Sequence, residues 1–546
     1  MATISVVLAM LVAVVISSFV VRVLPLDVPR PLVQIGLGAA IALASRTPVQ
    51  LDPQVFFLLF LPPLLFLDGW RIPNEELLRD RGPILGLALG LVVCTVLGMG
   101  LLVHWMIPPV PLPAAFALAA IVSPTDPVAV SAITARVPLP ARLMRRLEGE
   151  SLFNDASGLV CFRFAIAAAL TGAFSLPHAA LTFLWLVTGG VLIGVGMTYG
   201  MARLKNAISR RLGEDAGAQV LISLLIPFAA YQLADFVGSS GILAAGIAMS
   251  YTELWGGSLG ATRMQRTAVW ETVEFTLNGV MFVLLGEQLP GILAGATQVV
   301  SQSNRVNPWW LLVYVLAINL ALACLRFAWV ALALRAHQLI AALRGTAPPD
   351  RPHPRLIAAM SLGGVRGAVT LAGVLTIPLT LADGRAFPQR ELIIFLAAGV
   401  IVASLLAASL GLPRLLRSLK LPPGPAHEAQ LDRARVTAAE AAIRAVEAAQ
   451  HQLTREQDQA DLCTEVATQV IGLYRRRIEG RQPSSEDALR IRKGERIERQ
   501  LRMAGLRAER DALFSLARAR VISDASCRRL VRDLDLLEER LQSVPS

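Results

Sequence analysis

The sequence predicts an all-α membrane protein of about thirteen transmembrane helices with inverted repeats, two of them broken, followed by a helical cytoplasmic C-terminal domain. Three observations predict it. The 546 residues are 54% hydrophobic and only 17% charged, where soluble domains carry about 25% charged residues, and the mean hydropathy is +0.57. Residues 1–420 hold 49 of the 91 Asp, Glu, Lys and Arg residues, and the much shorter stretch 421–546 holds the other 42. Two apolar stretches of the first region are interrupted internally by proline. The chain therefore divides into a transmembrane domain, 1–420, and a charged soluble tail, 421–546. This partition excludes a secreted protein, a soluble enzyme and a simple nucleic-acid binder.

An α-helix needs roughly 20 apolar residues to cross a bilayer core. Thirteen stretches qualify, some by their interrupted continuation: 2–22, 31–45, 54–70, 83–107, 113–135, 151–172, 179–201, 216–236, 237–253, 268–289, 308–334, 356–381 and 391–413. The first reads as a membrane helix and not a signal peptide, because no basic residue precedes its apolar core. The narrowest division is Val237-Gly-Ser-Ser240; fusing its neighbours leaves twelve. With thirteen spans, alternate loops collect 19 Lys and Arg on one side and four (Arg46, Arg305, Arg385 and Arg390) on the other. The positive-inside rule makes the richer side cytoplasmic. The N-terminus is then outside and the tail inside. The net charge of +11 thus describes topology and not a nucleic-acid partner. The five cysteines are scattered without paired spacing, so neither a disulfide framework nor a zinc site is expected.

Ionisable groups within a span cost at least about 2.5 kcal/mol each on insertion scales and tend to mark ion paths. Here they are Asp68, Asp126, Asp155, Arg163, Glu271, Glu274, Arg326 and Arg366. Asp68 and Glu271 lie near span ends, where snorkelling suffices. Asp126 and Asp155 have apolar sequence on both sides.

In the fifth span, Pro124 and Pro127 flank Thr125 and Asp126. Each proline removes a backbone donor and clashes with the preceding turn, so the helix breaks there. Irregular backbone at membrane depth is tolerated only when buried in protein or lining a watery cavity. Such a break offers carbonyls and helix ends to an ion. The sixth span opens Glu148-Gly-Glu-Ser-Leu-Phe-Asn-Asp155. On a helix, Ser151 and Asp155 share a face at i, i+4, and Ser151 and Asn154 are i, i+3 neighbours. A hydroxyl stacked on a carboxylate suits a hard cation, which prefers oxygen. The same carboxylate, desolvated, takes a proton when the cation leaves. One group able to hold either ion, but not both, is the core of an exchanger.

In the twelfth span, Leu362-Gly-Gly-Val-Arg-Gly-Ala368 sets Arg366 in apolar, glycine-rich sequence. Glu150 or another buried acid is its expected partner, and Thr376-Ile-Pro378 is the expected interruption. Two interrupted helices in corresponding positions point to inverted repeats, spans 1–6 and 8–13, with span 5 matching span 12.

Four ordered motifs carry a family resemblance: Phe60-Leu-Pro-Pro-Leu-Leu-Phe66, Ser123-Pro-Thr-Asp-Pro127, Glu148-Gly-Glu-Ser-Leu-Phe-Asn-Asp155 and Gly363-Gly-Val-Arg-Gly367. Over about residues 1–415 the chain resembles the monovalent cation/proton antiporter superfamily, in its sodium/proton exchanger branch of bacterial type with an Asn-Asp motif. The resemblance implies a homodimer in the cell (bacterial inner) membrane, with crossed broken helices and an elevator-like core. It implies that Asp155 carries the ion and the proton, beside Asp126 and Asn154. Thr125, Asp126 and Ser151 match residues that complete or support the shell of Na+ at Asp155. Glu150 and Arg366 match a structural ion pair, and Arg326 matches a second structural arginine. Asn154 stands where an electrogenic branch has a second aspartate, which implies electroneutral exchange of one cation for one proton. Asp68 lies one place later than the acid of many relatives. That shift turns a side chain about 100° round a helix, so Asp68 is kept out of the shell. Arg163, eight residues beyond Asp155, is expected to pair with Glu271 or Glu274 or to tune the pathway's charge.

These readings predict a secondary antiporter exchanging cytoplasmic Na+ for external H+, with no cofactor beyond the transported ions. Potassium or lithium in place of sodium fits the same motifs. A cation channel fits less well, lacking a repeated filter, and an intramembrane enzyme is disfavoured by Asn154 and the acid-flanking prolines. No P-loop is present to couple ATP. After Leu421-Pro-Pro-Gly-Pro425, residues 428–475 and 484–542 read as two to four amphipathic helices interrupted near Arg481-Gln-Pro-Ser-Ser485. Regulation, dimer stabilisation and pH sensing are candidate roles of this tail, beside a plain solvated appendage.

Overall fold

The structure, a computed structural model, describes residues 2–24, 28–45, 53–71, 86–134, 141–172, 176–212, 215–250, 260–302, 309–343, 354–381, 384–417, 425–456, 460–479, 486–519 and several between 521 and 538. Its contacts divide the chain into two units, Met1–Lys420 and Leu421–Ser546. Among the described residues the only strand-like pairing is an isolated bridge between Thr380 and Ala386; everything else regular is helix.

The first unit runs α1 (Ala2–Val23), α2 (Arg30–Ser45), α3 (Pro53–Arg71), a π-turn (Gly86–Leu91) leading into α4 (Val92–Met106), α5 (Leu112–Ile121), α6 (Pro127–Thr134), α7 (Ala141–Thr171), α8 (Leu176–Leu212), α9 (Ala216–Phe236), α10 (Gly241–Ser250), α11 (Gly260–Gln302), α12 (Trp309–Leu343), α13 (Pro354–Leu362), α14 (Ala368–Leu375) and α15 (Arg390–Arg417). Among the described residues eight helices are long and apolar enough to cross a membrane, and Arg30–Ser45, Leu58–Leu67 and Leu112–Ile121 are shorter apolar helices. Leu8, Phe19, Leu101, Leu192 and Leu320 point outward from their helices and are exposed. Glu150, Ser151, Asn154, Asp155, Arg326 and Arg366 are buried. Apolar outside and polar inside is the arrangement a lipid surround favours.

Several helices outrun the apolar stretch that predicts them. α8 continues through Arg203, Lys205, Arg210 and Arg211, since Ala, Leu, Arg and Lys keep a helix going after hydropathy ends. Its 37 residues make about 55 Å of helix, well beyond a bilayer core of about 30 Å. Between α9 and α10 the chain turns at Val237–Ser240, where Gly238 takes a φ of +70° that an L side chain rarely adopts. Asp215 caps the other end of α9, accepting hydrogen bonds from the Gly217 and Ala218 amides at 2.9 and 3.3 Å.

The second break is not where the proline pointed. Gly363–Gly367 separates α13 from α14, whereas Thr376-Ile-Pro378 follows the end of α14, with the Thr376 amide donating to Gly373 at 3.1 Å. Paired glycines make the helical state costly in backbone entropy, and Arg366 needs the carbonyls that an unwound segment leaves free. α5 and α15 form the centre of the unit: every residue of α5 from Ala117 to Ile121 is fully buried, and α15 buries one broad face that includes Leu396, Ala397, Val400, Ile401 and Leu405.

The second unit contains α16 (Pro425–Glu456), α17 (Ala460–Glu479) and α18 (Glu486–Arg518). Gln450 on α16 bonds Thr464 on α17 at 3.3 Å. Arg510 on α18 holds Asp535 at 2.7 Å and also Glu538. The predicted interruption at 481–485 lies outside the described residues.

Candidate functional site

The site is built at the crossing of the two breaks. α5 ends at Val122, whose amide donates to Leu118. Pro127 then takes the first position of α6, where a missing amide donor costs nothing. Asp126 stands before it, its Oδ1 accepting from the Ala129 amide at 3.1 Å. The two breaks satisfy one another. The Asp126 backbone amide donates to the Val365 carbonyl at 2.7 Å. In return, Arg366 Nε donates to the Val122 carbonyl at 2.8 Å, and Nη1 donates to the Gly364 carbonyl. The Arg366 amide is held by Ser404 Oγ of α15 at 3.1 Å. One guanidinium thus sits at the C-terminal ends of α5 and α13, where helix dipoles favour a cation. Asp126 sits at an N-terminal end, where they favour an anion.

The crossing is tight because Gly367 has no side chain. A Cβ there would lie 1.8 Å from Asp126 Oδ2 and 2.5 Å from its Cγ, far inside contact distance.

α7 closes the site from its own side. Ser151 Oγ donates to the Thr125 carbonyl at 2.9 Å, and Asn154 Nδ2 donates to Thr125 Oγ1 at 2.9 Å. The i, i+3 pair therefore grips both oxygens of one residue in the break, leaving the Ser151 lone pairs and the Thr125 hydroxyl hydrogen for other partners. Asn154 Oδ1 is buried without a hydrogen-bond partner. Asp155, only 3% exposed, lines the cleft that opens beside these groups. The cleft has a cavity volume of about 40 Å³. Its walls include Thr125, Asp126, Ser151, Asp155, Gly367 and Thr370, with Leu64 and Leu67 of α3 and Glu274 and Asn278 of α11.

The expected pair between Glu150 and Arg366 is replaced by a different one. Glu150 is bound by Arg326 of α12 through both carboxylate oxygens, at 2.6 and 2.7 Å, while Arg326 Nε donates to the Met360 carbonyl in the last turn of α13 at 3.1 Å. The planar fork of a guanidinium matches a carboxylate in this way. Arg366 is occupied by carbonyls of unwound backbone instead. Both arginines lie in apolar sequence, and a local pattern does not say which one faces α7.

Arg163 and Glu271 are exposed, and of Glu271 and Glu274 only Glu274 lines the cleft. Asp68 belongs to α3, but its side chain lies outside the described residues. Asn278, Thr370 and the supporting Ser404 were not anticipated. Asn278 follows Glu274 at i+4 on α11, so the two share a face of that helix, and a neutral amide carries no charge to mark it in the sequence. The buried Glu287 was also missed.

Comparison with known proteins gives concordant findings. Residues 7–418 match the family model described as sodium/hydrogen exchanger, transmembrane. The chain is 40% identical over 546 residues to the uncharacterized Na(+)/H(+) exchanger YjcE of Escherichia coli (strain K12), covering 98% of each protein. It is 45% identical over 416 residues to the sodium, potassium, lithium and rubidium/H(+) antiporter of Bacillus pumilus (strain SAFR-032), covering 75% of this chain and 60% of that relative. The solved structure of the sodium proton antiporter MjNhaP1 from Methanocaldococcus jannaschii at pH 8 aligns with a TM-score of 0.56 at 17% identity, over 77% of this chain and 99% of that one. That last likeness is one of fold.

Proposed function

The chain belongs to the sodium/hydrogen exchanger family, and from that premise we propose that it is a secondary active antiporter moving cytoplasmic Na+ out in exchange for external H+, one for one. It is a membrane transporter and not an enzyme. The observation that carries the mechanism is a buried carboxylate, Asp155, lining a cleft at the crossing of two broken helices, with hydroxyl and carbonyl oxygens around it.

The exchange follows from competition at that carboxylate. Taken out of water, an ionised carboxylate is costly unless a counter-charge accompanies it. Asp155 therefore holds either the cation or a proton and is not left bare. Ser151, Thr125 and Asp126 supply further oxygens to Na+, and Asn154 holds Thr125 in position without adding a second titratable group. With one carrier acid, one Na+ leaves as one H+ enters, and no net charge crosses. Glu150, Arg326 and Arg366 hold α7, α12 and the two breaks together as a body that moves against the rest by an elevator motion. The finer architecture belongs to the same proposal: thirteen spans in inverted repeats, a homodimer through the membrane domain, N-terminus outside and tail cytoplasmic, with no ATP and no cofactor.

A second reading, in which K+ or Li+ replaces Na+ as a cargo, is supported by the cation range in the name of the Bacillus pumilus relative. Everted vesicles loaded by respiration and followed with a pH-sensitive dye separate the readings. Addition of Na+ is expected to dequench the dye to the same extent whether or not the membrane voltage is collapsed. Dequenching by K+ with none by Na+ would move the cargo to the second reading, and a response scaling with voltage would overturn one-for-one exchange. In the same vesicles, Gly367→Ala is expected to lower Na+-driven exchange by about tenfold or more, since its methyl group must displace the Asp126 carboxylate or part the two breaks. Unchanged exchange in that variant would show that the crossing is looser than the geometry requires.

A further inference from the structure

We propose that Thr370 is a cation-contacting residue, its hydroxyl adding an oxygen from the second broken helix to the shell formed by Asp155, Ser151 and Thr125. The inference deepens the exchange reading and rests on it. Thr370 lines the same cleft as those residues, is 1% exposed, and its Oγ1 is buried without a hydrogen-bond partner.

The reason for that orphaned hydroxyl is legible in the backbone. Threonines in the long helices of this protein satisfy their hydroxyls locally. Thr171, Thr188, Thr198, Thr267 and Thr272 each donate to the carbonyl four residues earlier, at 2.7–3.0 Å. For Thr370 the residue four earlier is Arg366, inside the unwound segment and ahead of the helix start at Ala368. The usual acceptor is thus not in helical register. Thr370 stands one turn after Gly367, so both present the same face of the chain to the cleft, next to Asp126. A desolvated hydroxyl without a partner is a cost to the fold that an entering cation relieves, because its lone pairs are oxygen ligands and its hydrogen is left to donate to a carboxylate.

The test compares Thr370→Val, which keeps the shape and removes the oxygen, with Thr370→Ser, which keeps the oxygen. Full-length protein is assayed in vesicles with NaCl, LiCl and KCl, and in detergent by the rise of melting temperature with added NaCl. Thr370→Val is expected to raise the half-saturating Na+ concentration about five- to tenfold in both assays and to change the ranking of the three cations. Its melting temperature without added Na+ should be equal to or above that of the wild type. Thr370→Ser should restore the wild-type values. If Thr370→Val does not fold, Thr370→Ala is read in the same way. Half-saturation and cation ranking within twofold of wild type in a folded Val or Ala variant would overturn the proposal. A wild-type protein that moves no protons in response to any of the three salts would instead overturn the exchange reading, and the proposal with it.

Discussion

Asp155→Asn is expected to abolish cation-driven proton movement while the protein folds and inserts normally. Asparagine matches the shape of the carboxylate but neither ionises nor takes up a proton in this range. The variant is therefore left without both halves of the exchange, not merely with a weaker site. Lost folding is not expected, because burying a neutral amide is less costly than burying a charge. Dye dequenching in everted vesicles reads the transport, and fluorescence-detected size-exclusion chromatography reads the fold. Full exchange by a well-folded Asp155→Asn protein would overturn the mechanism and move the carrier role elsewhere in the cleft, with Asp126 or Glu274 the acids already there.

The second large effect concerns stability. Glu150 and Arg326 are almost fully buried and bonded through both oxygens. Removing one partner of such a pair leaves an uncompensated buried charge and costs about 3–5 kcal/mol. Glu150→Gln and Arg326→Gln are each expected to lower the melting temperature by roughly 3–6 °C. Replacing both together with Leu and Met should recover most of that loss. Arg326→Lys should not, since an ammonium cannot reproduce the two parallel hydrogen bonds. A double-mutant cycle decides which arginine is the partner: strong coupling is expected between Glu150 and Arg326, and weak coupling between Glu150 and Arg366. The reverse result would reinstate the pair expected from sequence.

Local backbone chemistry and long-range packing specify different features of this protein. Prolines 124 and 127 announced the first break because proline acts on the backbone at its own position, whatever surrounds it. Ser151, Asn154 and Asp155 declared a shared helix edge because helical spacing is also local. Apolar length announced the membrane helices for the same reason, and their ends were missed where good helix formers continue past the apolar core, as in α8.

The pairing of Glu150, the location of the second break and the isolation of Thr370 belong to another class. Arg326 and Arg366 lie 176 and 216 positions beyond Glu150. Which guanidinium meets that carboxylate depends on how α12 and α13 rotate and cross against α7. Pro378 suggested one interruption, but the chain unwinds at Gly363–Gly367, where the carbonyls are needed by Arg366 and where a backbone without Cβ lets Asp126 approach. Thr370 reads as an ordinary helical threonine until that unwinding removes its usual acceptor. The residues alone therefore determined that this is a polytopic membrane protein with a desolvated acid beside a broken helix, because those properties follow from local backbone chemistry and hydropathy. Only the packed helices decided which charges meet, which carbonyls are spent, and which oxygens are left facing the cleft, because those depend on contacts between segments far apart in the chain.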